Sequence, residues 1–502
     1  MKKDVFLEEA RLGARSEAIV RYDEVPHLST LPPRFRGFSL TDLAHVVMLA
    51  ETGILRRDRA AKLLGGLLEV HEMGPARFPF DPRTGSYLVQ IEHYLEAKLG
   101  ADIAGRIQTG RSRNDQDASA DRIFLRDLLL EVTGDALALL ATTLAKARAH
   151  ADTVMPGYTH LQHAQPWTFG HYLMRQASIL ERDVQRLAAA YGRTNLGVLG
   201  GAANAGTSWP LDRRRTAALL GHDGIVVNSS DGGLFARDVL EEGAATLALL
   251  MSNVGRFATD LYLWSSWEFG YVEVADGLAG TSSIMPQKKN PHSLERIKAV
   301  AGQAAGWLAS MMGCQRGVSS TDLDFEFSDN PLPLMGEATK GALRLLEESV
   351  RTLVVREARM AANAGAFWST ASHLADELVR RFDLPFRTAH HIVGKFVKDT
   401  IDAGRTPAEA RADDLHRAAR EFGAAHVATT DAELRTILDA RAFVDSRATE
   451  GSVNPAQVRA HAERMVALLD AHARWHQAAT AKRDAAIAEL ERLARAIAAE
   501  AR

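Results

Sequence analysis

The chain contains 502 residues, with 60 lysines and arginines against 63 aspartates and glutamates and a formal net charge of −3 at pH 7. This near balance gives no electrostatic reason to expect nucleic acid or an anionic membrane as a partner. The single cysteine, Cys314, excludes an intramolecular disulfide and a multi-cysteine metal site, and it is typical of a reducing compartment.

The N-terminal stretch MKKDVFLEEARLGARSE has no apolar core, so we expect no secretory signal. No uninterrupted apolar run approaches the ~20 residues that a membrane-spanning helix requires. We therefore predict a cytoplasmic protein that is long enough for two or three substructures.

The first hundred residues predict an irregular segment followed by short helices. The proline-containing stretch EVPHLSTLPPRFRGF favours irregular structure. Residues 39–73 have a helical pattern that we divide into two helices near Gly53. The stretch FPFDPRTGSYLVQ predicts a loop, and IEHYLEAKLG predicts a further helix.

Longer helices are predicted in the middle of the chain. Apolar residues recur at i, i+3 and i+4 spacing up to about His150, and similar segments cover roughly 167–191, 234–264, 291–313 and 335–361. The sequence ATLALLMSNVG is apolar on nearly every side, which indicates the core of a helical bundle and an oligomer interface. Beyond about 362 the helices shorten, and the chain ends in an alanine-rich charged helix. No strand-like run of convincing length is visible.

Residues 277–295, GLAGTSSIMPQKKNPHSLE, form what we call the serine loop. Its glycines and adjacent Ser282 and Ser283 predict a mobile loop that carries hydroxyls, and Asn290 followed by Pro291 suits the N-cap and first position of a helix. The N–H groups of that helix, together with lysines at 288 and 289, would bind an anion such as a carboxylate. A serine in this positive field loses its proton more easily. The alternative is a solvated loop with two surface lysines.

Residues 109–116, TGRSRNDQ, which we call the arginine motif, gather hydrogen-bond donors at a helix start. Arg113 has a planar fork that matches a carboxylate, and Ser112 and Asn114 can fix the orientation of the bound group. A capping and salt-bridge cluster is the alternative interpretation.

Residues 157–166, GYTHLQHAQP, which we call the histidine motif, contain a proton-transfer candidate. A histidine side chain can donate or accept a proton in catalysis, so His160 is the candidate. His160 and His163 lack a third ligand at an interpretable spacing, so no metal is expected. The glycine-rich run from Gly200 onward has neither the P-loop nor the dinucleotide spacing, and we expect no cofactor.

The serine loop resembles the signature of the fumarase/aspartase superfamily and is most similar to the argininosuccinate lyase branch, in which Gln-Lys-Lys-Asn-Pro follows Met-Pro. The arginine motif matches all eight residues that hold the succinyl part of the substrate in argininosuccinate lyases. The histidine motif also matches word for word. The matching pieces are discontinuous and extend from about residue 44 to 300.

The resemblance implies an all-α, three-domain subunit with the fumarase/aspartase superfamily fold. Residues 1–108 would form an N-terminal helical domain, 109–362 the central long-helix domain and 363–502 a C-terminal helical domain. The long central helices would form a twenty-helix bundle in a homotetramer, and each active site would take its three motifs from three different subunits.

The implied reaction is a reversible anti elimination that splits an N-substituted aspartate into fumarate and an amine, with argininosuccinate giving arginine in amino-acid metabolism. The candidate catalytic residues are Ser282 as the base, Thr159, His160, Lys288 and Glu295, which would orient and charge His160. The candidate substrate-binding residues are Ser112, Arg113, Asn114, Ser283 and Asn290.

Several positions depart from the argininosuccinate lyase pattern. Thr281 replaces the usual glycine before the serine pair. In the segment SSTDLDFEFSDNPL, where the family grips the arginine half, Thr321, Glu326 and Asp329 stand in place of a tyrosine, a glutamine and a lysine, next to Asp322. The succinyl half of the substrate site therefore looks intact, and the amine half does not.

These departures leave three alternatives for the function. The first is argininosuccinate lyase activity, and the second is release of fumarate from another N-succinyl amino compound of the ethylenediamine-disuccinate type. The third is a non-catalytic helical scaffold, which predicts damage at the chemical positions. Those positions are all present, which disfavours a scaffold.

Overall fold

The computed structural model describes residues 15–232, 237–316, 324 and 330–501, and most of them are helical. The α-helices are α1 Glu17–Ile19, α2 Val25–Thr30, α3 Phe35–Glu51, α4 Arg57–Met73, α5 Tyr87–Leu99, α6 Ala101–Ala104, α7 Arg113–Ala149, α8 Phe169–Thr194, α9 Arg213–Leu219, α10 Asp238–Trp264, α11 His292–Cys314, α12 Leu332–Arg351, α13 Glu357–Ala364, α14 Ala371–Phe382, α15 Phe386–Asp402, α16 Ala412–Glu421, α17 Asp431–Ile437, α18 Ala440–Asp445 and α19 Pro455–Ala498.

The strands of the described chain form four two-stranded pairs. The strands are β1 Val154–Thr159, β2 Gln162–Thr168, β3 Leu196–Gly197, β4 Gly224–Ile225, β5 Val272–Glu273, β6 Gly280–Thr281, β7 Lys289–Asn290 and β8 Val354–Val355. Strands β1–β2, β5–β8 and β6–β7 pair antiparallel, and β3–β4 pair parallel. The expectation of no convincing strand is wrong for β1 and β2, which form a hairpin over the histidine motif. Their prolines and glycine hide any alternating pattern.

A bundle of long helices forms the body of the molecule. Helix α7 has 37 residues and lies against α3, α8, α12 and α19, while α10 lies between α8 and α11. The residues that these helices share form one large apolar cluster, with Leu129, Leu173, Leu250 and Leu343 among its fully buried members. By length and composition alone α7 could span a membrane, but 61% of its most apolar window is buried inside the protein.

The periodicity predicted most of these helices closely. Helix α7 ends at Ala149, against a predicted end near His150, and α10 ends at Trp264 as expected. The segment 335–361 is instead two helices, α12 and α13, interrupted by β8.

The N-terminal prediction of irregular structure is wrong. Residues 25–30 form α2, residues Pro32–Arg34 form a 3-10 turn, and α3 follows directly. Pro26 lies in the first turn of α2, and Pro32 and Pro33 lie in the 3-10 turn. At the start of a helix a backbone N–H has no partner within the helix, so a proline there costs no hydrogen bond.

Two smaller apolar clusters lie outside the bundle. One surrounds the stacked rings of Phe38 and Tyr87, whose centroids are 4.3 Å apart, and it includes Leu490 near the end of α19. The other surrounds Trp368 and Phe396 in the C-terminal region. Helix α19, with 44 residues, therefore runs back along the bundle to the N-terminal cluster. The domain boundaries at 108 and 362 stay predictions.

Helices α3 and α7 approach each other closely at one glycine. A Cβ atom added to Gly37 would lie 2.6 Å from the carbonyl oxygen of Ala120 and 3.0 Å from its Cα. Backbone atoms cannot move aside as a flexible side chain can, so only glycine fits at this crossing.

We predict that Gly37→Ala lowers the free energy of unfolding by ~1–3 kcal/mol, because the methyl group overpacks the contact between α3 and α7. The matched control is Gly65→Ala on α4, where an added Cβ has no neighbour within 4 Å. That substitution should be neutral or stabilising, since alanine is the better helix former. Thermal unfolding of both variants checks the pair, and equal melting temperatures would contradict the close contact.

Candidate active site

The arginine motif lies at the start of α7, and its side chains divide into an inward and an outward set. Arg111 is buried and donates to Oδ1 of Asp42 at 2.7 Å, while Gln116 donates to the same oxygen at 2.6 Å. Burial raises the pKa of the Asp42 carboxyl, and the Arg111 guanidinium opposes that shift. Arg111 and Gln116 therefore hold the motif in place and do not face solvent.

The outward set consists of the three predicted substrate-binding residues. Ser112 is the N-cap of α7 and accepts from the Asn114 N–H at 3.3 Å. Ser112 and Asn114 are half-buried, and Arg113 is exposed. The structure thus presents these three side chains together at one helix N-terminus, where the helix dipole favours an anion.

Asp115 links the arginine motif to the glycine-rich loop that starts at Gly200. Its Oδ1 accepts from the N–H of Ser112 at 3.0 Å, and its Oδ2 accepts from the N–H groups of Gly200 at 2.8 Å and Ala202 at 3.0 Å. The side chain is fully buried. The glycine-rich run is therefore a loop held against the start of α7.

The histidine motif forms the tip of the β1–β2 hairpin. Thr159 pairs with Gln162, so His160 and Leu161 alone make the turn, and both have left-handed φ angles of 55° and 57°. Such two-residue turns usually contain Asn-Gly, and left-handed backbone costs other residues ~1–2 kcal/mol each. Thr159 and His160 are exposed. A strained turn that carries a titratable side chain is a common feature of functional sites.

The serine loop is closed at its base by the β6–β7 pair, in which Gly280 pairs with Asn290. Within the loop, Ser282 Oγ accepts from the N–H groups of Ile284 at 3.3 Å and Met285 at 3.0 Å. Ser282 is half-buried, and Ser283 and Lys288 are exposed. The tip is apolar and open to solvent, since Ile284 is 84% and Met285 42% exposed.

The helix after the serine loop starts one residue later than predicted. Pro291 occupies the N-cap of α11, and Asn290 belongs to β7. The expectation that Asn290 caps the helix is therefore wrong, because its backbone pairs with Gly280 across the base of the loop.

Lys289 forms two ion pairs where the serine loop begins and ends. Its Nζ lies 2.8 Å from Glu273 Oε1 and 2.6 Å from Asp276 Oδ1. The hydrogen bonds that Lys289 donates to Asp276 and Glu273 raise its pKa. Glu273 also pairs with Arg356. Lys289 thus fastens the loop, which leaves Lys288 as the lysine that extends outward.

Glu295 lies exposed on the first turn of α11 and accepts a hydrogen bond from Tyr262 at 3.3 Å. Among the described residues, no hydrogen bond joins His160 to Glu295. The orientation of His160 by Glu295 therefore does not occur within one chain and stays a prediction for an assembly.

The length of α7 separates the arginine motif from the other two motifs. The arginine motif begins this helix of 37 residues, and the histidine motif follows its end; at 1.5 Å per residue the two ends of the helix are about 55 Å apart. The histidine motif and the serine loop share the other end, where the hydroxyl of Tyr158 is 2.6 Å from that of Tyr271. One chain therefore brings two of the three motifs into the same region.

A cavity of about 480 Å³ opens beside the base of the serine loop. Trp267, Gln287, Asn290 and Arg359 are among its lining residues. Ser282 and His160 do not line it. In the described part of the chain, no group of three or more His, Cys, Asp or Glu residues could hold a metal ion. Thr321, Asp322, Glu326 and Asp329 lie outside the described residues.

Sequence reasoning missed the residues that position the motifs. Asp115 was visible in the arginine motif as a capping-box residue three positions after Ser112, so the known spacing could have identified it. Tyr271 and Glu273 carry no such signal, because their roles depend on contacts with distant parts of the chain.

Comparison with known proteins identifies the family of the chain. Residues 43–306 match the family model described as Lyase, and residues 368–445 match the model described as Argininosuccinate lyase C-terminal. The argininosuccinate lyase of Methanocaldococcus jannaschii is 39% identical over 79% of this chain and 82% of its own length. That of Methanosarcina acetivorans is 36% identical over 90% and 91%.

A solved structure shares the fold of this chain. An EDDS lyase variant with bound fumarate has a TM-score of 0.85 and 35% identity, and the match covers 98% of both chains. The sequence matches, the C-terminal family model and this shared fold all indicate the same family. The chain belongs to the argininosuccinate lyase family of the fumarase/aspartase superfamily, and it is a carbon–nitrogen lyase.

Proposed function

We propose that the chain catalyses the reversible anti elimination of fumarate from argininosuccinate, with arginine as the other product. One observation carries this proposal. The candidate residues of the three motifs are at least partly exposed, while the residues that hold the arginine motif in place, such as Asp42 and Asp115, are buried. The names of the relatives support the same substrate, since the similar methanogen proteins are argininosuccinate lyases. The physiological role would then be arginine biosynthesis.

Ser282 is the base in the proposed mechanism. Its deprotonated Oγ takes the β-proton of the succinyl group, and the electrons of that C–H bond form the double bond of fumarate as the C–N bond breaks. Two backbone N–H groups already point at this oxygen, from Ile284 and Met285, and donors of this kind favour negative charge on it. The leaving nitrogen takes the C–N electron pair and a proton from His160 or from water.

The barrier comes from the weakly acidic β-proton, so the charge that develops on the neighbouring carboxylate must be stabilised. Removal of one well-placed donor from such a site typically costs ~2.7–4 kcal/mol. Arg113, Asn114, Lys288 and Asn290 would provide these donors, and Ser112 and Ser283 would add hydrogen bonds. Thr159 would line the site beside His160, and closure of the serine loop would exclude water.

The active sites would be shared between subunits of a homotetramer. Because α7 is about 55 Å long and the arginine motif lies at the end opposite to the other two motifs, a complete site would need residues of more than one chain. Helix α11 offers a surface for a partner, since Gly302, Gly306 and Gly313 are exposed and an added Cβ at each would meet nothing within 4 Å. In that assembly Glu295 of one chain would orient His160 of another.

The remaining expectations are consistent with a metabolic enzyme. We propose a cytoplasmic homotetramer that binds a small N-succinyl amino compound and fumarate and needs no cofactor, nucleic acid or membrane. The near-neutral charge and the single cysteine support this proposal.

A second substrate has a specific observation in its favour. An EDDS lyase shares the fold over 97–98% of the chain at 35% identity. The acidic segment at 322–329 also changes the charge offered to the amine half. The alternative is release of fumarate from an ethylenediamine-disuccinate-type compound.

Fumarate release, followed by its ultraviolet absorbance, distinguishes these alternatives. We expect the purified protein to turn over argininosuccinate faster than a panel of other N-succinyl amino compounds. Turnover of an ethylenediamine-disuccinate compound alone would replace the substrate and keep the reaction. No turnover of any member would contradict both proposed substrates.

Ser282→Ala should lower kcat by about 10²–10⁴-fold with a small effect on KM, because proton removal in the transition state is lost. The neighbouring Ser283→Ala serves as the control for loop damage, and it should chiefly raise KM. Steady-state kinetics with the preferred substrate gives both values. Full activity in Ser282→Ala would contradict the assignment of the base.

Mixed oligomers test the shared sites. Ser282→Ala and Arg113→Ala proteins should each be nearly inactive, but unfolding and refolding them together should restore activity. The restored sites would combine an intact serine loop from one chain with an intact arginine motif from another. Each protein refolded with itself is the control, and a mixture as inactive as its parents would contradict sharing.

A further inference from the structure

The exposed tip of the β1–β2 hairpin has little support of its own. His160 and Leu161 both have left-handed backbone, and Leu161 is 65% exposed. Leucine does not favour this conformation, so Leu161 does not hold the turn in shape through local preference. Within one chain, support for the tip comes from residues farther down the hairpin.

A bulge separates the tip from the lower hairpin. The register shifts between Pro156 and Tyr158, and Gly157 lies between them without a paired partner. A Cβ at Gly157 would lie 2.3 Å from the carbonyl oxygen of Gln165, so the two strands press together at this point. A bulge redirects the strand beyond it, and the direction of the tip is then set by the first anchored side chain, Tyr158.

Tyr158 is anchored through its hydroxyl. The hydroxyl oxygen lies 2.6 Å from that of Tyr271, and it lies 3.5 Å from Nε2 of His163 across the hairpin. Asn363 on α13 donates its amide N–H to the Tyr271 oxygen at 3.2 Å. Tyr271 can therefore direct its own proton at Tyr158. Burial raises the pKa of the Tyr158 phenol, so it stays protonated near neutral pH.

Tyr271 is a rigid anchor. It is 1% exposed, its N–H donates to the carbonyl of Trp264 at 2.9 Å, and its own carbonyl accepts from the Arg356 N–H at 2.9 Å. The rings of Tyr158 and Tyr271 both contact Phe269 edge-on, at 5.6 and 5.7 Å between centroids. The hydroxyl of Tyr271 is thus fixed relative to the end of α10.

We propose that the hydroxyl pair of Tyr158 and Tyr271 positions Thr159 and His160 for the reaction, by holding the strained tip of the hairpin in one orientation. Both tyrosines are positioning residues, because neither needs to contact the substrate. This inference rests on the proposed function for its kinetic consequence. The geometry of the tip itself does not depend on it.

The test uses Tyr158→Phe and Tyr271→Phe, each of which removes one oxygen and keeps the ring. We expect kcat for fumarate release to fall about 10- to 100-fold, as small misplacements of catalytic groups do, while KM changes less than about twofold. The double variant should be no slower than the slower single variant, because both substitutions break the same bond.

The matched control is Tyr94→Phe on α5. Tyr94 is half-buried like Tyr158 and donates its hydroxyl to Glu69 at 2.8 Å, in the N-terminal region. Its loss should leave kcat and KM unchanged.

A second measurement needs no substrate. Hydrogen–deuterium exchange of a peptide that covers residues 155–168 should be faster in both variants than in the wild type, and unchanged in Tyr94→Phe. Melting temperature and oligomeric state, measured on the same samples, should match the wild type.

The outcomes separate the two proposals. A wild type that releases no fumarate contradicts the proposed function, and the exchange data then decide the positioning of the tip. The inference is overturned if hydrogen–deuterium exchange of the 155–168 peptide in both variants equals that of the wild type. It is also overturned if the wild type is active and both variants keep its kcat. Losses of kcat that only follow a lower melting temperature or a dissociated oligomer also overturn it, because the hydroxyls would then be structural.

Discussion

The rigid length of α7 is the constraint on which the arrangement of this enzyme depends. Its 37 residues hold the arginine motif at one end and deliver the chain to the hairpin at the other. An α-helix packed on several sides cannot bend enough to bring its own ends together. The chain therefore places its motifs at two ends of a bundle, and no bending of α7 can join them. The same helix is the centre of the core, so folding and the placement of the motifs depend on one element.

Buried charge keeps the arginine-motif end of α7 in register. Asp42 holds Arg111 and Gln116, and Asp121, just over two turns into the helix, pairs with Arg34 and Arg237. Loss of one partner from such a buried pair is strongly destabilising, because a charge without its partner stays in the interior. This network explains why the side chains of the arginine motif form two sets: the inward residues hold the backbone, and Ser112, Arg113 and Asn114 stand at the start of the helix.

The helices were predictable because their signal is local. Apolar spacing located α7, α8 and α10 to within a few residues. The candidate site residues, named from the three motifs, stay predictions. The hairpin at 154–168 was not predictable, because Pro156, Gly157 and Pro166 conceal strand periodicity and the pairing depends on tertiary contacts. The role of Lys289 was also hidden, since its partners Glu273 and Asp276 become neighbours only when β6 pairs with β7.

The apolar tip of the serine loop has a thermodynamic consequence. Ile284 and Met285 are exposed while the loop stands open. A closure that covers them removes apolar surface from water, and such burial lowers the heat capacity of the complex. The enthalpy of ligand binding would then become more negative on warming, and the apolar contribution to closure would weaken in the cold. The temperature range over which the loop closes on the substrate would thus depend partly on Ile284 and Met285, two side chains that take no part in the reaction.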